Sequence, residues 1–307
     1  MKKTEPIIAV HGGAGTPNKN ELNKEKESAY LNDLQTALLK GYEILQSGGI
    51  AEDAVVEAVK VLEDSPLFNA GRGSVFNSEG QHEMDACFAS GENRKTGAIA
   101  GITRVRNPIV LARLVAEKTP HVFLSGPGAQ KFAEISGVEL MPDEWFFSTH
   151  RFQQWQDARK LEEIWLDHGE KKFGTVGAVA RDKLGRLAAA TSTGGMTNKR
   201  FGRVGDTPIF GTGTFADNKL CAISCTGHGE YFIRYVVAHQ VASAMQYGRL
   251  NLQEAAWNVL NGILLEDGGE GGLIAIGPQG DPVLAFNCAG MFRAWVDTQN
   301  NFHASIF

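Results

Sequence analysis

The sequence predicts an α+β protein in which antiparallel hairpins pack against amphipathic helices. Three observations carry this expectation. Short apolar runs bounded by turn residues recur, as in Val176–Val179 and Leu187–Thr191 around Asp182-Lys183-Leu184-Gly185. Longer segments place apolar residues at helical spacing, as Leu31, Leu34, Leu38 and Leu45 do. Glycine reaches 36 of 307 residues, well above a usual share of about 7%, which implies many tight turns and close backbone approaches.

The elements follow in chain order. Pro6 to Val10 reads as a buried strand that leaves through His11-Gly12-Gly13-Ala14-Gly15, read by itself as a tight turn. Helices are predicted over about 26–46, stopped by Gly48-Gly49, and over 51–63, ending before Pro66. The loop from Leu62 to Gly73 is too apolar to be simply solvated. Its carbonyls suit either an ordinary buried turn or a ring around a monovalent cation. Strands follow at 97–105 and 121–125, with helices around 111–118 and 130–135. Phe152, Trp155, Leu161 and Trp165 form a helical stripe read as packing, and Asp167 to Lys172 reads as a mobile polar tail. Beyond the central hairpin come a strand at 220–225, one helix at 231–247, another at 252–265, and a hairpin of 272–276 with 283–286. Short strands near 294–296 and 302–306 end the chain.

Composition removes several classes of function. A net charge of −5 and a pI near 5.9 oppose binding to nucleic acid or anionic membrane. No apolar run approaches the roughly 18 residues of a membrane span, and the run after Lys2 and Lys3 is too short for a signal-peptide core. A cytoplasmic protein is expected, with Cys87, Cys221, Cys225 and Cys288 reduced. The glycine-rich stretch at 11–15 lacks the G-x-S-x-G elbow of lipases and the Gly-Lys-Ser/Thr of a phosphate loop. Gly211 to Ala216 looks like a dinucleotide fingerprint but leads into a strand rather than a helix. No H-E-x-x-H pairing exists, and Cys221, Cys225 and His228 crowd one strand end without an evident fourth zinc ligand.

The chemistry concentrates at Gly174-Thr175. Thr175 stands at the first position of a predicted buried hairpin, straight after a glycine that lets the backbone bend or strain. A hydroxyl is a poor nucleophile without a base beside it. If the 174–175 bond were cut, the new α-amino group, with a reference pKa of about 7.7–8.0, would supply that base on the same residue. A lone Gly-Thr pair is ordinary strand sequence, and its companions distinguish this one. Thr191-Ser192-Thr193 puts hydroxyls at the end of the partner strand. Arg203 and Asp206 stand three residues apart in a glycine-flanked loop. Thr226-Gly227-His228-Gly229 closes a strand and opens a helix, where Thr226 suits either an oxyanion or an N-cap.

Together these stretches resemble the plant-type L-asparaginase / isoaspartyl peptidase family of N-terminal nucleophile hydrolases. The resemblance runs from H-G-G-A-G at 11–15 through P-L-F-N-A-G-R-G at 66–73 and G-T-V-G-A-V-A at 174–180. It continues through A-T-S-T-G-G-M-T-N-K at 190–199, G-R-V-G-D at 202–206 and Cys225-Thr226-Gly227. It implies a four-layer αββα sandwich, a single hydrolase domain over 1–307 that cuts itself into 1–174, with a mobile tail from about 150, and 175–307. The implied nucleophile is Thr175, supported by Thr193. The substrate's α-carboxylate would meet Arg203 and its α-ammonium Asp206, with Gly229 and Asn69 lining the site. The oxyanion would be held by the Thr226 hydroxyl and the Gly227 N–H. The carbonyls of Leu62, Glu63, Ser65, Phe68, Ala70 and Arg72 would hold a structural sodium ion, with no cofactor for catalysis. L-asparagine and β-aspartyl dipeptides are the implied substrates, and a dimer of αβ heterodimers the implied assembly. A glycosylasparaginase usually carries Asp rather than Gly before the nucleophile. A non-catalytic amino-acid binding protein would not need the Thr175, Thr193 and Thr226 set.

Overall fold

A computed structural model describes residues 4–15, 22–164 and 174–307. Strand β1 (Ile7–Gly15) is followed by helices α1 (Lys24–Gln46) and α2 (Ala51–Asp64), then strands β2 (Met84–Ser90) and β3 (Thr96–Ile102). Next come α3 (Pro108–Lys118), β4 (Phe123–Ser125), α4 (Gly126–Ser136) and α5 (Thr149–Lys160). The hairpin β5 (Val176–Arg181) and β6 (Leu187–Thr193) leads to β7 (Thr214–Ala216) and β8 (Ala222–Gly227). Helices α6 (Gly229–Tyr235), α7 (Val237–Gln246) and α8 (Leu252–Asn258) precede β9 (Gly271–Ile276), β10 (Val283–Phe286), β11 (Gly290–Val296) and β12 (Phe302–Ser305).

The strands form a mixed α+β arrangement of two sheets, ordered β12-β11-β1-β5-β6-β2-β3-β4 and β10-β9-β8-β7. Period-two alternation decides what each face buries. Ile8 and Val10 of β1, with Ala178, Ala180, Ala188 and Ala190, share a core with α1, α2 and α3 through Leu34, Leu38, Val55, Val59 and Leu111. Ile7, Ala9, Val179, Leu187 and Ala189 point the other way, into a core with Ala222, Ile274 and Ile276 of the second sheet. Ile223, Cys225, Leu273 and Ala275 then meet Val237, Val241 and Ala255 of α7 and α8. Each fully buried Val, Leu or Ile stabilises by about 1.5–3 kcal/mol, so these three clusters fix the sheets and the loops they carry.

Several elements depart from the sequence expectation. The stretch His11 to Gly15 is no turn: it continues β1, with an extra residue between His11, opposite Arg293, and Ala14, opposite Met291. Pairing of His11, Ala14 and Gly15 with β11 outweighs the turn preference of the glycines. Strands β2 and β7 were not foreseen; they are set by pairing with β3 and β6 and with β8. The single helix expected over 231–247 breaks at Val236, whose φ of 47° is left-handed. There the N–H groups of Ala238 and His239 donate to Thr212 O and Gly211 O instead of continuing the helix. The helix expected at 252–265 kinks at Gly262, while Asn287 Nδ2 donates to Leu260 O. Of the aromatic stripe, Trp155 is buried beside Phe76 and Phe152, whereas Leu161 is exposed past the end of α5. The expected tail thus begins with a helix, and Arg151 of that helix donates from Nε to Gly73 O at 2.8 Å. Trp165 and the segment 167–172 lie outside the described residues.

Candidate active site

Thr175 precedes β5 by one residue and Thr193 ends β6, and the register Val176 opposite Ser192 brings the two threonines face to face. Thr175 Oγ1 donates to Thr193 Oγ1 at 3.1 Å, and Gly195 N–H donates to the same oxygen at 3.1 Å. Asn69 holds this turn from the side: its Nδ2 donates to Gly195 O at 2.7 Å, and its Oδ1 accepts from Val75 N–H at 3.0 Å. Asn69 therefore supports the nucleophile's neighbours, fastening the 62–73 loop to the hairpin end.

The extra residue of β1 turns Gly13 onto the 174–175 junction. A side-chain carbon at Gly13 would lie 2.5 Å from Gly174 N and 3.2 Å from Gly174 O, at a φ of +115°. Only glycine admits that approach. His11, opposite Gly177, is fully buried, with Nε2 2.8 Å from Ser224 Oγ. Ser224 in turn meets Thr191 at 2.7 Å, and Thr214 donates to Thr191 at 2.7 Å. Burial pushes the imidazole down to about 3 against the opposing backbone of Thr175, so His11 is neutral at working pH. Sequence reasoning missed this hydroxyl chain because its members come from four strands.

A small cavity of about 20 Å³ is lined by Gly174, Thr175, Thr193, Arg203, Asp206 and Gly227. That volume admits about one water molecule. The structure thus brings Thr175, Thr193, Arg203, Asp206 and Gly227 around one cavity, while Thr226, Gly229 and Asn69 do not line it. Asp206 is buried, its Oδ2 has no partner among the described residues, and burial raises its carboxyl to about 7 despite the attraction of Arg203. Arg203 is held elsewhere: Nε and Nη2 donate to the Glu230 carboxylate at 2.8 and 3.0 Å. Glu230, which sequence reasoning passed over, lies 27 residues away on the first turn of α6. Gly229 sits between the charged groups, where a side-chain carbon would lie 2.7 Å from Arg203 Nη2 and 3.1 Å from Asp206 Oδ1.

Thr226 belongs to β8 and is fully buried, its Oγ1 accepting from Ala14 N–H at 3.3 Å. This corrects the N-cap reading, because the residue capping α6 is His228, without a side-chain cap bond. The Thr226 hydroxyl keeps its proton available to another acceptor. Gly227 beside it is confined by Phe232, Glu270 O and Gly271.

The 62–73 loop closes tightly after α2. Gly71 has a φ of +50° and takes Glu63 O against the place a Cβ would fill, and Gly73 does the same with Phe68 O. Carbonyl oxygens of Glu63, Pro66 and Phe68 thus crowd a glycine-lined turn, and oxygen is the donor type hard cations take. Arg72 turns its guanidinium onto the Trp145 ring, 4.6 Å from the centroid. All four cysteines are free, and among the described residues no helix is long and apolar enough to cross a membrane.

A hydroxyl pair at a strand junction, a buried carboxylate and a guanidinium thus stand around one cavity. The chain belongs to the asparaginase family, whose model matches residues 4–306. It is 48% identical over 295 residues to the isoaspartyl peptidase of Salmonella typhimurium, covering 94% of each chain. It is also 48% identical to the isoaspartyl peptidase of Escherichia coli over 94% of this chain and 92% of the other. With the isoaspartyl peptidase/L-asparaginase of Xenopus laevis it shares 42% identity over 99% and 96% of the two chains.

Proposed function

We propose that this protein hydrolyses L-asparagine to L-aspartate and ammonia, and cleaves β-aspartyl dipeptides, through Thr175 freed by self-cleavage. The observation that carries the reading is the pairing of Thr175 with Thr193 in a cavity shared by Gly174, Arg203 and Asp206. The names of the relatives support the substrate class.

In the first step the Thr175 hydroxyl attacks the Gly174 carbonyl carbon, its proton passes to the departing Thr175 nitrogen, and an ester replaces the peptide bond. Water then hydrolyses the ester, leaving the Gly174 carboxylate and a free Thr175 amine. Gly174 lies in the wall of this small cavity, so its departure would enlarge the space open to substrate. In turnover the Thr175 amine takes the hydroxyl proton as Oγ1 attacks the substrate's side-chain carbonyl. Thr193, hydrogen-bonded to that oxygen, keeps it oriented. The oxyanion is met by the Thr226 hydroxyl and Gly227 N–H, donors that need no reorganisation. Ammonia, or the amine of the dipeptide's second residue, leaves with the proton, and water releases L-aspartate. Arg203 faces the α-carboxylate bidentately, and ionised Asp206 faces the α-ammonium.

The same reading makes 1–174 and 175–307 the two subunits of one αββα hydrolase domain, pairing as a dimer of αβ heterodimers in the cytoplasm. The three clusters, helices on sheet, sheet on sheet and sheet on helices, support that layering. A sodium ion held by the carbonyls of Leu62, Glu63, Ser65, Phe68, Ala70 and Arg72 would stiffen the loop that carries Asn69. Ammonia release from L-asparagine and from a β-aspartyl dipeptide tests the activity. Wild-type protein should release ammonia from asparagine and free amino acids from the dipeptide, and Thr175→Ala should do neither. Undiminished turnover in Thr175→Ala would exclude it as nucleophile.

A further inference from the structure

The guanidinium of Arg203 and the carboxylate of Asp206 are close neighbours of opposite charge, yet they do not pair. Nη2 and Oδ1 lie 2.7 and 3.1 Å from one point, the vacant Cβ position of Gly229. Arg203 instead gives its side edge, Nε and Nη2, to both oxygens of Glu230. Asp206 Oδ2 stays without a partner among the described residues. Arg203 is largely covered, with its side chain 20% exposed, while that of Glu230 is 52% exposed. A guanidinium has a second edge, Nη1 with Nη2, that can grip a carboxylate in the same forked way.

We propose that Glu230 is a positioning residue that holds the side edge of Arg203, so that the guanidinium presents its end edge to the substrate's α-carboxylate and is kept from collapsing onto Asp206. The proposal rests on the reading of Arg203 and Asp206 as the two halves of a zwitterion site. An arginine side chain loses considerable rotamer freedom when it is fixed. Without Glu230 that cost falls on substrate binding, and the nearest alternative anion is Asp206. Pairing of Arg203 with Asp206 would spend both binding groups on each other, leaving neither free for an amino acid. Glu230 therefore acts on substrate affinity, through Arg203, and not on the bond-making atoms around Thr175.

A second consequence concerns pH. Asp206 is raised to about 7 first by burial, with Arg203 lowering it and Glu230 raising it. The charged or titratable groups that influence it are Arg203, Glu230 and the neighbouring Cys225 thiol, itself held protonated by burial. Removing the Glu230 charge takes away a repulsion that favours protonated Asp206 and lets Arg203 move closer. Both changes extend the ionised form of Asp206 to lower pH.

The test uses the self-cleaved protein and the variants Glu230→Ala and Glu230→Gln, with the two-band pattern and the melting temperature as folding controls. Three quantities are measured: KM and kcat for L-asparagine, the Kd of the product L-aspartate by calorimetry, and that Kd against pH. The expected result in Glu230→Ala is a KM and Kd weakened up to about fivefold, the upper range for a partly exposed ion pair. kcat should fall less than KM rises. The weakening of L-aspartate binding at acid pH should begin at lower pH in both variants. A merely structural role would lower the melting temperature without moving that onset. Unchanged KM and Kd would overturn the proposal, and so would tighter binding, which would mean that Glu230 competes with the substrate carboxylate. A wild-type protein that neither hydrolyses L-asparagine nor binds L-aspartate would overturn the zwitterion site itself. An active wild type with an indifferent Glu230→Ala would overturn the positioning role alone.

Discussion

Replacing Gly229 by alanine tests the zwitterion site with the smallest possible change. The added methyl group would stand 2.7 Å from Arg203 Nη2 and 3.1 Å from Asp206 Oδ1. Comfortable contact needs about 3.5 Å, so the guanidinium has to retreat by about 0.8 Å and the carboxylate by about 0.4 Å. Gly229 has no left-handed φ and opens α6, a place where alanine is at least as favourable as glycine. The Asp206 backbone N, 3.3 Å from the same point, must give slightly, so the variant should fold and cleave itself with a slightly lower melting temperature. A misplacement near 1 Å in groups that orient a substrate costs on the order of 100-fold. We expect kcat/KM for L-asparagine to fall by about that factor, chiefly through KM. The assay is initial-rate ammonia release, with the melting temperature measured on the same preparation. An unchanged kcat/KM in a normally folded variant would mean that Arg203 and Asp206 do not contact the substrate.

Three further outcomes follow from the same geometry. Thr226→Val keeps shape and removes the hydroxyl, so kcat should drop about 100- to 1000-fold with KM little changed; because His228 and not Thr226 caps α6, normal turnover would leave the residue without its oxyanion role. Asp206 must be ionised to hold an ammonium group, and burial raises its carboxyl to about 7; binding of L-aspartate, which does not need the Thr175 amine as base, should therefore be full well above neutrality and weaken as pH drops through about 7, and pH-independent binding down to pH 5 would contradict the assignment. Asn69→Ala strips partners from Gly195 O and Val75 N–H, which should cost about 1–3 kcal/mol of stability and slow turnover by loosening the turn that carries Thr193; chemical denaturation and rate measurements check both.

The hairpin around 182–185 was legible because turn residues and two apolar runs mark it, and that alone places Thr175 opposite Thr193. Arg203 and Asp206 were legible as a pair because they are close in sequence, and they do share the cavity. What Arg203 bonds to was not, since Glu230 reaches it from a helix that follows two further strands. Met84–Ser90 and Thr214–Ala216 become strands by pairing with β3 and β6 and with β8, partners that their own short runs do not announce. The break at Val236 shows no glycine or proline, because it is made by carbonyls of the Gly211-Thr212 loop capturing the N–H groups of Ala238 and His239. The glycines at 12 and 13 read as a turn, but pairing with β11 on either side of a bulge carries the strand through and brings Gly13 onto Gly174. In each case the missing information is a partner distant in sequence, which local pattern does not contain.

The central claim is that the chain cuts itself before Thr175 and uses the freed residue. Intact-mass measurement and N-terminal sequencing of freshly purified protein test it most directly. The account predicts a fragment of 133 residues (307 − 174) starting Thr175-Val176-Gly177, and a single uncut chain in Thr175→Ala. A small fragment beginning at any other residue, or an uncut wild-type chain that hydrolyses asparagine at full rate, would contradict it.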